Sequence, residues 1–183
     1  MKRSEAYQFL RRYLKNENLV KHCLACEAIM EELAARFGEN AEEWGMVGLL
    51  HDIDYELTKD HPDRHGMEGA KLLAGEGFSE SFLSALRSHN NATGHKPANR
   101  MEKALYAVDP VSGFIVACAL VHPSHTLHSL DLSFLLNRFK EKSFARGADR
   151  DQIRSCSAID LSLDGFLIIS LAAMQKRSTE LGL

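Results

Sequence analysis

The chain has 183 residues, of which 45% are hydrophobic and 26% charged, and its formal net charge is −3. Those values suit one globular domain with a single core, and the lack of a basic excess argues against nucleic acid as the main partner. The amino-terminal stretch is charged and has no signal-like apolar segment, the most apolar run, Phe114 to Val121, is too short to span a bilayer, and four scattered cysteines do not make a disulfide scaffold; no membrane partner and a reducing cytoplasm are expected.

Nearly every segment has helical period. Residues 4–15 read as a first helix. Asn16 or Asn18 starts a second, which runs to Phe37 and stops at Gly38. Asn40 and Glu43 resemble a capping box opening a third helix that continues through Leu50. Pro62 suits the first turn of a helix reaching about Ala74, and Ser79 begins another that ends near His89. The stretch NNATGHKPAN is a polar loop. A long apolar helix follows from Met101 to Val121, where Pro110 must either cap a new helix or kink a continuous one. HPSHTLH is a loop, and two or three shorter helices fill 129–180. No run alternates with the period of a strand, and no repeat, linker or low-complexity tract is visible.

Nine histidines are present, and several fall where a helix should show an apolar residue. His22 shares a face with Cys26, Ile29 and Leu33. His51 follows Trp44, Val47 and Gly48 at helical spacing, and His89 follows Phe82, Ala85 and Leu86. Asp109 lies one turn beyond Leu105 and two beyond Met101, and His65 sits with Gly69 and Leu72. One inward histidine has a bland explanation, a hydrogen bond to a backbone carbonyl. Several inward imidazoles with two inward carboxylates are harder to satisfy, because an unpaired buried carboxylate costs several kcal/mol or more. A divalent cation satisfies them together. The adjacent pair His51-Asp52 is the most informative. Successive helix residues differ in direction by ~100°, which suits two ligands roughly at right angles in an octahedral shell. Ile53-Asp54-Tyr55-Glu56 adds further acid.

A histidine, then His-Asp, then a distal aspartate, all on helices, resembles the HD superfamily of metal-dependent phosphohydrolases. Here the matching residues are His22, His51-Asp52 and Asp109, and the resemblance covers about residues 18–125. It implies an all-α fold, an HD-domain helical bundle, with residues 1–183 forming a single domain whose C-terminal helices occupy 129–180. It also implies that the four residues bind one divalent ion. His65, in HPDRHGMEGA, and His89, in LRSHNN, resemble the ligands of a second ion in binuclear members. Asn90 stands where some relatives have a further histidine, and His61 is an alternative to His65. The subgroup motif His-Asp-Ile-Gly-Lys is interrupted, since Asp54 and Tyr55 replace its Gly and Lys, so that subgroup's cyclic-dinucleotide chemistry is not carried over.

Imidazole and carboxylate ligands suit Mn²⁺, Fe²⁺, Ni²⁺, Co²⁺ or Zn²⁺. Such an ion activates water and polarises a phosphoryl oxygen, and Asp52, with two oxygens, is the natural bridge between two ions. The expected activity is hydrolysis of a small-molecule phosphoester, a nucleotide among the candidates. Asp52 is a catalytic centre in that reading, and Glu56 or Asp54 can orient water or carry a proton. RFKEKSFARGADR supplies cations for phosphate, with Lys140 and Arg146 preferred; Arg138, Lys142 and Arg146 would line one face if the segment were helical, and a solvated face is the competing explanation. Cys23-Leu-Ala-Cys26 has redox spacing but reads as core packing. His122, His125 and His128 form a compact triplet that can bind a metal, gate the pocket or simply occupy a turn. Phe134, Phe139 and Phe144 read as core rather than a stacking platform. Two rival functions share the ligand set: a di-iron oxygenase, and a regulatory protein that holds a structural metal without turnover.

Overall fold

The computed structural model describes all residues from 1 to 183 and contains helices and turns but no strand. Eleven α-helices follow in order: α1 Arg3–Tyr13, α2 Glu17–Phe37, α3 Ala41–Leu50, α4 Tyr55–Thr58, α5 Met67–Leu73, α6 Glu80–Ser88, α7 Arg100–Val121, α8 Leu132–Lys140, α9 Arg150–Arg154, α10 Leu163–Lys176 and α11 Ser178–Leu181. The expectation of an all-α helical bundle is met. The region after residue 129 holds four helices rather than two or three.

Local chemistry explains the boundaries. Asn16 caps α2, its side chain accepting from the amides of Asn18 and Leu19, and Gly38 ends that helix in the left-handed region. Asn40 caps α3 by accepting from the Glu43 amide at 3.1 Å, but the Glu43 carboxylate accepts from the Ser79 hydroxyl instead of completing a capping box. Ser79 caps α6 in turn.

α2 and α7 form the centre. α2 packs on α3, α7 and α10, while α7 also packs on α9 and the 3₁₀ turn Ser155–Ile159. Fifty buried residues form one contiguous core. By length and composition α7 could cross a membrane, but 56% of its apolar window is buried within the bundle. Pro110 sits inside α7 without ending it. Having no N–H, it leaves the Tyr106 carbonyl without its helical donor, and Gln152 of α9 donates its side-chain Nε2–H to that oxygen at 2.8 Å. Asp109, immediately before the proline, is thereby held on a braced turn.

The contact between α2 and α3 is set by Gly48. A Cβ there would lie 2.7 Å from the carbonyl carbon and oxygen of Cys26, which are backbone atoms and cannot swing aside. This close approach brings His22 on α2 against His51 at the end of α3. Gly48→Ala should gain about 1 kcal/mol of helix propensity and lose more, about 3 kcal/mol, to overpacking. A net drop in the urea midpoint at unchanged m-value checks this prediction.

Candidate metal centre

Five segments converge at one place. α2 supplies His22, the end of α3 supplies His51 and Asp52, the turn before α5 supplies His65, the end of α6 supplies His89 and the middle of α7 supplies Asp109. His51 and His89 are fully buried, while the side chains of His22 and Asp109 keep 19% and 30% of their exposure, so the cluster opens on their side.

Each imidazole has its Nδ1 engaged. His51 Nδ1–H donates to the Gly48 carbonyl at 2.8 Å and His89 Nδ1–H to the Leu86 carbonyl at 2.6 Å. A carbonyl only accepts, so these nitrogens must carry hydrogen. His65 Nδ1–H donates to the Asp54 carboxylate at 2.9 Å. The Ser112 hydroxyl donates to the Asp109 carbonyl at 3.0 Å, so it accepts from His22 Nδ1–H at 2.8 Å. All four rings therefore turn Nε2 inward.

The Nε2 atoms meet around Asp52. His22 Nε2 lies 3.5 Å from Asp52 Oδ2, and His51, His65 and His89 Nε2 lie 3.3, 3.1 and 3.5 Å from Oδ1. Asp109 Oδ1 is 3.2 Å from His22 Nε2 and 3.9 Å from His51 Nε2. The imidazoles also face one another, His22 with His51 at 3.2 Å and His65 with His89 at 3.1 Å between Nε2 atoms. Two neutral rings in this tautomer would set lone pair against lone pair. A cation relieves that repulsion, and the nitrogen and oxygen donors present fit a divalent transition metal. The arrangement divides into His22, His51 and Asp109 on one side and His65 and His89 on the other, with Asp52 common to both.

Without a metal, protons supply the positive charge. Burial disfavours a charged His65, but Asp52 and Asp54 outweigh it and lift its pKa to about 10. Burial pushes His51 down to about 4 despite the nearby Asp52. Burial alone would raise Asp52, yet the surrounding imidazoles, His51 foremost, hold its carboxyl well below the usual range.

The six histidine and aspartate ligand candidates come together, whereas other expectations need correction. Glu56 does not join the cluster. Its Oε1 accepts from the amides of Lys15 and Asn16 at 3.0 and 2.8 Å, pinning the turn between α1 and α2. Asp54 is fully buried behind His65 and accepts from the Gly66 and Gly69 amides as well as from His65. His65 lies outside a helix. The expected 62–74 helix is a 3₁₀ turn, Pro62–Arg64, then a break, then α5. Gly66 makes the break with φ of 86°, where a Cβ would meet the Leu86 carbonyl. His61 is exposed and apart from the cluster.

The basic segment is not one helical face, because α8 ends at Lys140 and residues 141–149 are turn. Lys140 is exposed there and lines none of the clefts at the cluster. Arg146 is exposed between Ala145 and Gly147, which line a 360 Å³ cleft with His22 and Asp109. Arg150 folds this turn by donating to the carbonyls of Phe139, Phe144, Ala145 and Ala148 while its guanidinium packs over Phe114. His122, His125 and His128 do not converge: they bond Ser124, the Leu120 carbonyl and Ser178 respectively. All four cysteines are free and buried. Cys26 Sγ comes within 3.8 Å of His22 Nε2 as part of the site's inner wall.

Sequence reading missed Ser112, Gln152 and the positioning role of Asp54. Ser112 follows Asp109 at i+3, a spacing that was a usable signal; Gln152 carries none.

The HD-domain family model matches residues 19–119. A 97-residue stretch is 28% identical to Ribonuclease Y of Syntrophotalea carbinolica, covering 53% of this chain and 18% of that protein. Ribonuclease Y of Geotalea uraniireducens is 28% identical over 98 residues, 54% of this chain and 18% of the relative. The uncharacterized protein MJ0778 of Methanocaldococcus jannaschii is 36% identical over 84 residues, 43% of this chain and 48% of its own. The matched part thus spans 18% of the length of the two ribonuclease relatives.

Two outcomes are expected. Asp54→Asn keeps an acceptor for the glycine amides but removes the charge orienting His65, so affinity for a second ion should fall about 10–100-fold with helix content retained; titration calorimetry with circular dichroism tests this. Because His65 holds a proton up to about pH 10, an ion binding it at neutral pH must expel that proton, and affinity should rise with pH. Calorimetry in buffers of different ionisation enthalpy measures the release; zero protons released would contradict it.

Proposed function

Because the chain belongs to the HD-domain family, we propose that it is a metal-dependent phosphohydrolase acting on a small phosphoester, a nucleotide among the candidates, with one divalent ion or two. The family is one of metal-dependent hydrolases. The observation that carries it is the ring of four inward Nε2 atoms around a buried carboxylate, each ring locked through Nδ1. The relatives named Ribonuclease Y also support a phosphoester substrate.

In this reading His22, His51, Asp52 and Asp109 hold the first ion, and His65 and His89 share Asp52 for a second. An ion held there is a Lewis acid that makes water nucleophilic near neutral pH and polarises a phosphoryl oxygen. The residues of the chain do the positioning. The Gly48 and Leu86 carbonyls, Asp54 and Ser112 fix ring orientation, and the buried His51 and His89 close the inner side against bulk water. Substrate enters from the half-open side at His22 and Asp109. Arg146 is exposed between Ala145 and Gly147 of that cleft wall and is the cation this reading assigns to phosphate. Asp52 is the carboxylate on which both ligand groups depend and keeps its catalytic place in this reading, while Glu56, bound to the Lys15 and Asn16 amides, drops out of it.

The same donors also fit two irons that use dioxygen, and comparison of aerobic with anaerobic turnover separates the two chemistries. The direct test is elemental analysis of protein purified without chelator, then a phosphoester panel with Mn²⁺, Co²⁺, Ni²⁺ and Mg²⁺. Metal-stimulated, oxygen-independent hydrolysis is expected. Asp52→Ala should lose metal retention and turnover together while keeping its helical signal; full activity in that variant would sink the reading.

A further inference from the structure

We propose that the site acts on phosphodiesters carrying a nucleoside on one side of the scissile phosphorus, with the base held by Tyr55, Asn91 and Gln152. This rests on the phosphohydrolase reading and narrows its substrate class.

The cluster is not at the floor of a blind pocket. Asp109 lines both a 250 Å³ cleft shared with Tyr55, Asn91 and Gln152 and the 360 Å³ cleft on the other side. His22 lines the latter and a further 400 Å³ cleft that includes Lys21. A phosphoryl group on the cluster therefore has room for a substituent on each side. A monoester would fill only one.

The two sides differ in chemistry. Tyr55 is 41% exposed, and its ring packs edge-on to His65 at 5.3 Å between centroids, so the ring is steadied while still open to the cleft. Asn91 uses its Oδ1 to accept from the Tyr106 hydroxyl, which leaves its Nδ2 donors free. Gln152 uses its Nε2 to donate to the Tyr106 carbonyl, which leaves its Oε1 acceptor free. An aromatic face, an amide donor and an amide acceptor are what a nucleobase engages by stacking and along its polar edge. Apart from the ligand candidates, this cleft is lined by no charged side chain, so a second phosphate is poorly matched to it.

The opposite cleft is walled by small residues, among them Gly113, Ala117, Ala145 and Gly147. A Cβ added at Gly113 or Gly147 would meet nothing within 4 Å. That wall gives space without specific hydrogen bonds and so accepts varied leaving groups. Arg146 beside this wall and Lys21 in the third cleft supply positive charge for the phosphate. In the reaction, the oxygen of water bonds to phosphorus and the ester bond to the group on the small-residue side breaks. That group departs as an alcohol carrying one proton of the water, the other proton going to the nucleoside monophosphate product.

The experiment uses the full chain with Mn²⁺ and three chromogenic substrates: p-nitrophenyl phosphate, bis(p-nitrophenyl) phosphate and the p-nitrophenyl ester of thymidine 5′-phosphate. Both diesters should exceed the monoester in kcat/KM by about tenfold or more, and the thymidine diester should exceed the bis-aryl diester by about tenfold. Asn91→Ala and Gln152→Ala should each bring the ratio between the two diesters towards one, through KM. Preference for the monoester, or an unchanged ratio in both variants, overturns the proposal. Equilibrium dialysis with cleavage-resistant dithymidine phosphorothioate against thymidine 5′-phosphorothioate separates binding from turnover. About tenfold tighter binding of the dinucleoside supports the two-sided site even if hydrolysis fails, and equal binding overturns it even if hydrolysis is found.

Discussion

The carboxylate of Asp52, 5% exposed and enclosed by four imidazoles, is the group on which the rest of the structure depends. Removing an ionised carboxylate from water costs several kcal/mol unless positive charge replaces the lost hydration. The bundle surrounds it with imidazoles from four different segments, so α2, α3, α6 and the turn before α5 meet at one point, and His65, whose pKa is lifted to about 10, carries positive charge there. Asp109 adds a second carboxylate from α7. The carboxylates thus depend on positive charge close by, which the proton on His65 supplies in part and a divalent ion would supply in the proposed reading.

Orientation comes from a second set of interactions that lie mostly on the backbone. His51 and His89 each stand just past a helix, and each reaches back three residues to a carbonyl in the last turn. Such carbonyls run out of helical amide donors, so the helix ends themselves provide the acceptors that lock the rings. Asp54 performs the corresponding service for His65 and also ties down the amides of Gly66 and Gly69, so one buried carboxylate fixes both the ring and the turn that carries it. At Asp109 the device is different again, a proline that frees a carbonyl and a glutamine from α9 that satisfies it.

The part of the chain beyond the family match is not a passive appendage. Ala145, Gly147 and Ala148 wall one side of the cluster and Gln152 the other. Arg150 holds that wall in shape through four carbonyls, which engages its guanidinium within the fold and leaves Arg146 exposed beside the cleft. The residues that could hold a metal therefore lie in the family core, while the walls of the adjoining clefts are shared with segments whose composition advertises nothing.

The helical period, the caps at Asn16, Asn40 and Ser79, and the intrusion of His22, His51, His89 and Asp109 into apolar faces were all legible in the linear chain. Each depends on residues within two turns of one another, and burial of a polar group on an apolar face is a local anomaly. His65 was legible as a ligand candidate through family resemblance, though its helix was not, because the Gly66 break answers to Asp54 and to the Leu86 carbonyl across the bundle. The tertiary structure alone decided that Glu56 faces a backbone turn, that Asp54 orients His65, that the basic run is not one helical face and that Gln152 reaches Tyr106. Those outcomes turn on partners 11 to 46 residues away in sequence, and no periodicity within a single helix carries information about what will be packed against it.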